Sequence, residues 1–416
     1  MTQTALPLST TVPRKIGTFT ALRQANFRLY FIGQLISMSG TWMQAVAQGY
    51  LVFSLTKSEL WLGIVACAAG APMLLIAPFG GVLVERMNRR RLLIITQTVQ
   101  MTLAFILATL VFTDAVQIWH IVTLALLLGT TNAFDAPARQ TIISDLVGKD
   151  LIVSGIAMNS IIVNGSRVFG PTIAGIFLTT FGPAWCFLLN GLSFLAVIGM
   201  LSILQLEGVT VIRAVARPLV QLAEGLRYAR QTPVVRGILL MAMNGGFFGW
   251  AILTLFPAFS DVVLNSPEKA YAIISAANGF GAVVGGLLVS NVGQKIGRGR
   301  LLSISALGAP LFVFLFSRTT IIPLAALMCM MIGFCLIVYF VTLNMTLQTT
   351  IPADFRGRIL SLYTLCIIGL NPFGALLLGL VAQKIGSPNA LAFYACMFVV
   401  FSSAVLIKSP ALRRLQ

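Results

Sequence analysis

Twelve apolar stretches, most of about 20 residues, occupy most of this 416-residue chain. A helix of that length spans the hydrocarbon core of a bilayer, which is about 30 Å thick. Of all residues 58% are hydrophobic and 9% are charged, whereas a soluble protein of this size needs a more highly charged surface. We therefore predict an all-α membrane protein with twelve transmembrane helices, at residues 29–54, 60–84, 92–112, 117–137, 151–180, 184–205, 236–263, 269–292, 301–317, 320–346, 357–383 and 389–407.

The two halves of the chain resemble each other at an offset of 208 residues. Trp42 corresponds to Trp250 and Ser58 to Ser266, and Gln140-Thr141 corresponds to Gln348-Thr349. Many secondary transporters are tandem repeats of membrane-spanning bundles, with the substrate site where the repeats meet. The repeat predicts two six-helix bundles, residues 29–205 and 236–407, and makes transport the leading hypothesis.

The net charge of +17 is unevenly distributed along the chain. When the N-terminus is placed inside, the inner segments hold 23 of the 28 Lys and Arg residues and the outer loops hold four. By the positive-inside rule both termini are cytoplasmic. Residues 1–28 and 408–416 are then cytoplasmic tails, and 206–235 is a cytoplasmic linker with an amphipathic helix. The charge excess is a topology signal, so we do not expect nucleic-acid binding.

Patterns that accompany enzymatic chemistry are missing from the sequence. All six cysteines lie in apolar stretches and none forms a C-x-x-C pair, which argues for packing rather than a disulfide or a zinc site. There is one histidine, no H-E-x-x-H and no G-x-x-x-x-G-K-[ST]. We expect no cofactor, no metal and no enzymatic activity, and neither metal-dependent hydrolysis nor ATP-driven pumping.

Five polar residues step along the first predicted helix by three, four, three and four positions, and so share one face. An amide that faces lipid costs roughly 2–7 kcal/mol when unpaired, so this face must contact protein or a wet cavity. Hydrogen bonding between helices is one interpretation, and a cavity wall is the favoured one. The five residues are Gln34, Ser37, Thr41, Gln44 and Gln48.

The fifth predicted helix has a similar face, with Ser160, Asn164 and Arg167. A charge at the depth of Arg167 costs at least about 2.5–3.5 kcal/mol, so its side chain must face the interior. It could make a structural pair or clamp a carbonyl, or it could provide the counter-charge for an anionic or polar substrate. Further candidates for the cavity are the two mid-membrane tryptophans and four amides: Trp42, Trp250, Asn132, Asn244, Asn278 and Asn344.

Asp135 is the carboxylate placed most clearly at membrane depth, near the inner end of the fourth predicted helix. Arg139 follows four residues later and can pair with it if the helix continues through Pro137. A paired carboxylate is a poor proton shuttle at neutral pH. We favour a gate residue at Asp135 over a proton carrier.

The loop after the second predicted helix, residues 81–90, reads GVLVERMNRR. This resembles the G-x-L-a-D-r-x-G-r-r signature of the major facilitator superfamily, with Glu85 for the usual Asp and Asn88 for the second Gly. The resemblance implies that Gly81, Glu85, Arg86 and Arg89 belong to a clamp that holds the cytoplasmic side shut. Arg86 would then pair with Asp135, and Arg139 would lie in the same gate.

Four further motifs support this resemblance. Residues 170–175, GPTIAG, are similar to the G-P-x-x-G-G signature of antiporters. This similarity adds Gly170 and Pro171 to the predicted gating residues. Residues 134–140, 224–228 and 356–358 complete the match to the branch that contains the enterobactin exporter and drug antiporters. The resemblance implies a monomeric transporter, embedded in membrane lipid, in the cytoplasmic membrane of a bacterium.

The expected function is export of a siderophore-like or drug-like small molecule by alternating access, with H⁺ as the coupling ion. A facilitator or importer of a lipid or metabolite with the same fold is the alternative within transport. A membrane sensor that binds ligand without moving it is the alternative outside transport.

Overall fold

The structure is a computed structural model that describes residues 19–203, 218–409 and 412. Within these residues the secondary structure is entirely helical. The first half of the chain forms α1 (Ala25–Thr56), α2 (Glu59–Arg86), α3 (Arg89–Phe112), α4 (Ile118–Thr180) and α5 (Pro183–Ile203). The second half forms α6 (Pro218–Gln231), α7 (Pro233–Asn244), α8 (Phe256–Val262), α9 (Pro267–Ile296), α10 (Arg298–Ser317), α11 (Ile322–Thr350), α12 (Ala353–Thr364), α13 (Asn371–Ile385) and α14 (Ser387–Lys408).

Helix α4 contains the fourth and fifth predicted helices, joined without a loop. The two parts meet at Gly148, whose φ of 69° is not helical. Glycine adopts this left-handed backbone without the steric cost that a side chain would add. Gly148 therefore lets the chain turn between two spans with no connecting segment.

Two interruptions divide helices in the second half of the chain. A π-helical segment, Gly245–Gly249, and a 3₁₀ segment, Ala251–Leu255, separate α7 from α8. A second π-helical segment, Leu365–Gly369, separates α12 from α13. The π segments touch, because a Cβ added at Gly246 would lie 2.6 Å from the carbonyl oxygens of Cys366 and Ile367. Each long helix is thus interrupted at the level where it meets the other.

Eleven helical segments among the described residues are long and apolar enough to cross a membrane. They coincide with eleven of the twelve predicted stretches. The remaining stretch, residues 29–54, forms α1, which has 32 residues but is made more polar by its amide-bearing face. The count of twelve spans therefore stays a prediction, whereas the helical membrane fold is confirmed.

We call α1–α5 the N-terminal bundle and α7–α14 the C-terminal bundle, because the helices of each group pack on one another, and the domain bounds taken from the sequence stay a prediction. Two glycine-lined seams join the bundles. In the first, between α2 and α13, a Cβ added at Gly63 would lie 2.8 Å from the carbonyl oxygen of Ala375. In the second, between α4 and α9, a Cβ added at Gly279 would lie 2.2 Å from the carbonyl oxygen of Arg167. The backbones of the two bundles are therefore in direct contact at both seams.

Polar side chains also join the bundles at the end where α1 finishes, which we call the far end. Lys57 Nζ lies 2.5 Å from Asp261 Oδ2, and Tyr50 Oη donates to Glu268 at 2.6 Å. Ser387 Oγ donates to Glu59 at 2.9 Å. We call these three contacts the far-end latch. Each of them has a carboxylate as its acceptor.

At the opposite end, which we call the basic end, the polar contacts among the described residues stay within one half of the chain. Arg89 pairs with Asp145, joining α3 to α4, at 2.7 Å. The linker helix α6 packs on α12, where Glu224 pairs with Arg358 at 2.8 Å. The predicted linker thus contains a helix, and its residues 206–217 lie outside the described part of the chain.

Candidate functional site

A cavity of about 490 Å³ lies between the two bundles. Its wall is built from both, with α1–α5 on one side and residues of the Trp250–Pro257 segment, α9, α11 and α13 on the other. Pockets of this size hold small organic molecules. The wall is mostly apolar, and its polar groups are amides, hydroxyls and one guanidinium.

The structure brings together eight of the thirteen residues predicted to bind substrate. They all line the cavity and come from α1, both parts of α4, the break between α7 and α8, and α9. These residues are Thr41, Trp42, Gln44, Gln48, Asn132, Arg167, Trp250 and Asn278. Pro171, predicted as a gating residue, lines the same cavity.

Arg167 lies between the two tryptophans that the sequence repeat relates. Its Cζ lies over the Trp42 ring, 5.4 Å from the centroid, and over the Trp250 ring, 5.1 Å from the centroid. Trp42 belongs to the N-terminal bundle and Trp250 to the C-terminal bundle. The electron-rich faces of both rings attract the guanidinium, an interaction worth about 2 kcal/mol or more when desolvated.

Arg167 carries the only charge among the described residues that line the cavity. No carboxylate within the described residues pairs with it, and its Nε is buried without a hydrogen-bond partner. A buried cation without a counter-ion is costly. Among the described residues Arg167 therefore has no structural ion pair, and it lines the cavity, whereas its role as a counter-charge for substrate stays a prediction.

Several of the amides around the cavity satisfy each other. Asn190 Nδ2 donates to Gln44 Oε1 at 2.6 Å, and Gln100 Nε2 donates to Asn132 Oδ1 at 3.1 Å. Asn278 Nδ2 donates to the carbonyl oxygen of Cys329 at 3.2 Å. These bonds fix the orientation of the amides, and both polar atoms of Asn190 are engaged, because its Oδ1 also accepts from Ser193 Oγ at 3.2 Å.

Five predicted substrate-binding residues lie outside the cavity wall, and hydrogen bonds explain the placement of four. Gln34 accepts from Arg139 at 3.3 Å on the side of the basic end, and Asn164 donates to the carbonyl of Ser160 in its own helix. Asn244 donates to Ser402 Oγ at 2.8 Å inside the C-terminal bundle, and Asn344 accepts from Gln348. Ser37 is buried one turn below the cavity.

Three amides of the cavity wall were not identified from the sequence: Gln100, Asn190 and Asn371. Gln100 shares its helix face with Thr96 and Gln97, and Asn190 shares its face with Ser193, so polar spacing was an available signal for these two. Asn371 begins α13, directly before Pro372 and after a π-helical segment, a position that resembles a helix start rather than a binding site.

Asp135 is fully buried and accepts three hydrogen bonds. Thr96 Oγ1 and Gln97 Nε2 each donate to Oδ1 at 2.8 Å, and Arg139 pairs with Oδ2. The pairing within α4 that the spacing predicts is therefore present, across Pro137. All three donors hold the carboxylate in place. The arrangement is that of a structural carboxylate, and the gate role of Asp135 stays a prediction.

We expect Asp135→Asn to lower stability by about 3 kcal/mol, because Arg139 would lose its counter-ion. This value is the low end for a broken buried pair, since the side chain of Arg139 is 22% exposed. Thermal unfolding of the purified protein in detergent measures the effect. Asp145→Asn, in the more exposed pair with Arg89, is the control and should cost about 1 kcal/mol or less. Equal losses of stability in the two variants would show that the pair of Asp135 with Arg139 contributes no more than the pair of Asp145 with Arg89.

The remaining predicted gating residues have mixed outcomes. The side chains of Gly81, Glu85 and Arg86 lie outside the described residues, so the pairing of Arg86 with Asp135 stays a prediction. Gly170 packs against α1, where an added Cβ would lie 2.4 Å from Trp42 Cβ. Glycine at position 170 lets α4 pack closely on α1, and this close packing brings Arg167 near Trp42.

Comparison of the sequence with known proteins identifies a family and several relatives. The family described as transmembrane secretion effector matches residues 16–415. The staphyloferrin A transporter of Staphylococcus aureus is 24% identical over 86% of this chain and 90% of its own length. The enterobactin exporter EntS of Shigella flexneri is 26% identical over 93% of both chains. The multidrug efflux pump Tap of Mycolicibacterium fortuitum is 26% identical over 88% of this chain and 91% of its own.

Solved structures share the fold at low sequence identity. A POT family transporter in complex with a thioalcohol-conjugated peptide covers 96% of this chain and 100% of its own, with a TM-score of 0.75 and 13% identity. A point mutant of the nucleoside transporter NupG covers 92% of this chain and 99% of its own, with a TM-score of 0.72 and 14% identity.

Proposed function

The chain belongs to the transmembrane secretion effector family of the major facilitator superfamily, and we propose that it exports an acidic small molecule as a secondary active transporter. One observation carries the proposal. A cavity between the two bundles contains a single, unpaired guanidinium and no carboxylate among its described wall residues. Such a site attracts an anion. Its apolar wall suits the hydrophobic body of a siderophore-like or drug-like molecule.

The positions of the contacts between bundles support alternating access. The far-end latch closes one end, and the two seams include contacts at the level of Arg167 and Pro372. By the positive-inside rule the basic end is cytoplasmic, and we propose that the cavity takes substrate from that side. Export then requires the latch and the outer parts of the seams to separate.

We expect Lys57→Asp to weaken the far-end latch by placing like charges opposite Asp261. The exchanged double variant Lys57→Asp/Asp261→Lys should restore it. The pair is largely exposed, with Lys57 64% exposed, so the shift toward an open far end is at most about fivefold. Labelling of Thr254→Cys in the cavity, in a cysteine-free background, by an impermeant thiol reagent measures this opening. Equal labelling of the single and double variants would contradict the latch.

Proton entry is the energy source we propose, as in the branch that the motifs resemble. The experiment is transport by purified protein in liposomes with an imposed pH gradient. We expect uptake of acidic siderophores or drugs into the compartment facing the far end, faster with that compartment acid. Flux that does not depend on the pH gradient would indicate a facilitator. Flux in the opposite direction would indicate an importer, and binding without flux would indicate a sensor. Any of these results would overturn proton-driven export.

A further inference from the structure

Two residues of the cavity wall have a buried polar atom without a hydrogen-bond partner. They are Arg167, through Nε, and Asn371, through Oδ1. A buried polar group without a partner destabilises the fold, and a ligand that reaches it can recover that loss. Asn190, Gln100 and Asn278 donate hydrogen bonds within the protein. Arg167 and Asn371 are the described wall residues with a buried polar atom that a ligand could satisfy.

The two side chains belong to different seams. Arg167 lies on the α4–α9 seam, where its carbonyl oxygen contacts Gly279. Asn371 lies on the α2–α13 seam, where the next residue, Pro372, contacts Gly70. A ligand held by both therefore touches each of the two places where the bundles meet.

The two ends of such a ligand would meet different chemistry. Around Arg167 the wall provides one positive charge and two indole rings. Near Asn371 it provides neutral amides, because Asn132 lies one turn from Gly129, whose Cβ position is 2.1 Å from the carbonyl oxygen of Ala69. Ala69 and Gly70 thus bring Asn132 and Asn371 to the same part of the wall. Charge is favoured at one seam and neutral hydrogen bonding at the other.

We propose that Asn371 forms a second subsite, which binds a neutral hydrogen-bond donor on a substrate whose acidic group binds Arg167. The substrate class is an acid with an amide or hydroxyl group at its other end. This inference rests on the proposed function, since it assigns substrate chemistry to the same cavity. The unpaired atom of Asn371 is its amide oxygen, which is an acceptor, so the subsite is identified by its preference for a ligand that carries a donor.

Dicarboxylic acid monoamides of six to twelve carbons are suitable probes, because they carry one carboxylate and one donor. The monomethyl ester keeps the charge and lacks the donor, and the diamide lacks the charge. Binding is measured by tryptophan fluorescence of the purified protein, since Trp42 and Trp250 lie beside Arg167. We expect one length of monoamide to bind about two- to tenfold more tightly than its ester, the range of a single hydrogen bond.

The variants separate the two subsites. Asn371→Leu should remove the preference for monoamide over ester, and Arg167→Gln should remove the preference for monoamide over diamide. Asn389→Leu, at an exposed amide of the far end, is the control and should keep both. Asn371→Asp should tighten binding of an ω-amino acid, whose ammonium group would meet the new carboxylate. That gain shows that the site remains folded.

Three results would overturn the inference: no saturable binding of any monoamide, no preference over the ester, or a preference that Asn371→Leu retains. Failure of the proposed function gives a different pattern. Discrimination by Asn371 without flux in liposomes would reject transport and keep the subsite. Export of acidic substrates with no effect of Asn371 would reject the subsite and keep transport.

Discussion

Arg167→Ala is expected to lower export of acidic substrates by roughly 10- to 150-fold while the protein still folds and inserts. The basis is the loss of a hydrogen bond to a charged partner, worth about 1.5–3 kcal/mol. The variant also removes an unpaired buried charge, so stability should stay the same or rise. Flux of an acidic and of a neutral substrate in the same liposomes measures the effect.

Two comparisons make this result specific. Arg167→Lys keeps the charge but loses the planar guanidinium that binds a carboxylate with two N–H groups, so we expect intermediate export. Arg318→Ala removes an exposed arginine at the far end, which contacts Asn389, and should leave export unchanged. Undiminished export of acidic substrates by Arg167→Ala would reject the role of this residue.

Gly279→Ala is expected to have the second large effect, on the conformational equilibrium. The new Cβ would lie 2.2 Å from the carbonyl oxygen of Arg167 and 2.7 Å from its carbonyl carbon. These are backbone atoms and cannot rotate away, so α4 and α9 must separate by roughly 1 Å. Overpacking of this kind costs about 1–3 kcal/mol. That cost falls on conformations with a closed α4–α9 seam and shifts the equilibrium by a factor of about 5 to 150.

The readouts are export and labelling of Thr254→Cys from the far end. We expect slower export and stronger labelling in Gly279→Ala. Gly286→Ala lies on the same helix, but its added Cβ would meet Ile337 Cγ2 at 3.7 Å, an ordinary contact. This control should match the parent protein. Labelling of Gly279→Ala at the parent level would show that the seam tolerates the methyl group.

The positions of the helices could be predicted because lipid imposes one rule on every span. Polar faces could be predicted for the same reason, and α1 turns its face to the protein interior as expected. The division of that face could not be predicted. Arg139 reaches Gln34 from another helix, whereas Thr41, Gln44 and Gln48 meet the cavity. Helical period gives the face of a residue but not the neighbour that covers it.

The sequence also could not show which of the amides in apolar stretches line the cavity. Asn244 and Asn278 look alike in the sequence, each alone in an apolar stretch. Asn244 donates to Ser402 of α14 inside the C-terminal bundle, whereas Asn278 lines the cavity. Asn371 was missed because the lack of a hydrogen-bond partner for its Oδ1 depends on every helix that surrounds it. The repeat did predict the placement of the two tryptophans, since related positions in two bundles meet at the axis between them.

The paired π-helical segments make the two halves of the chain mechanically unequal. A π turn departs from the regular backbone pattern of an α-helix and marks a place where a helix bends. Both segments belong to the C-terminal bundle and abut through Gly246. One directly precedes the cavity residue Trp250, and the other ends two residues before Asn371. We expect flexing of one long helix at that depth to be transmitted to its neighbour, through a joint that among the described residues only the C-terminal half contains.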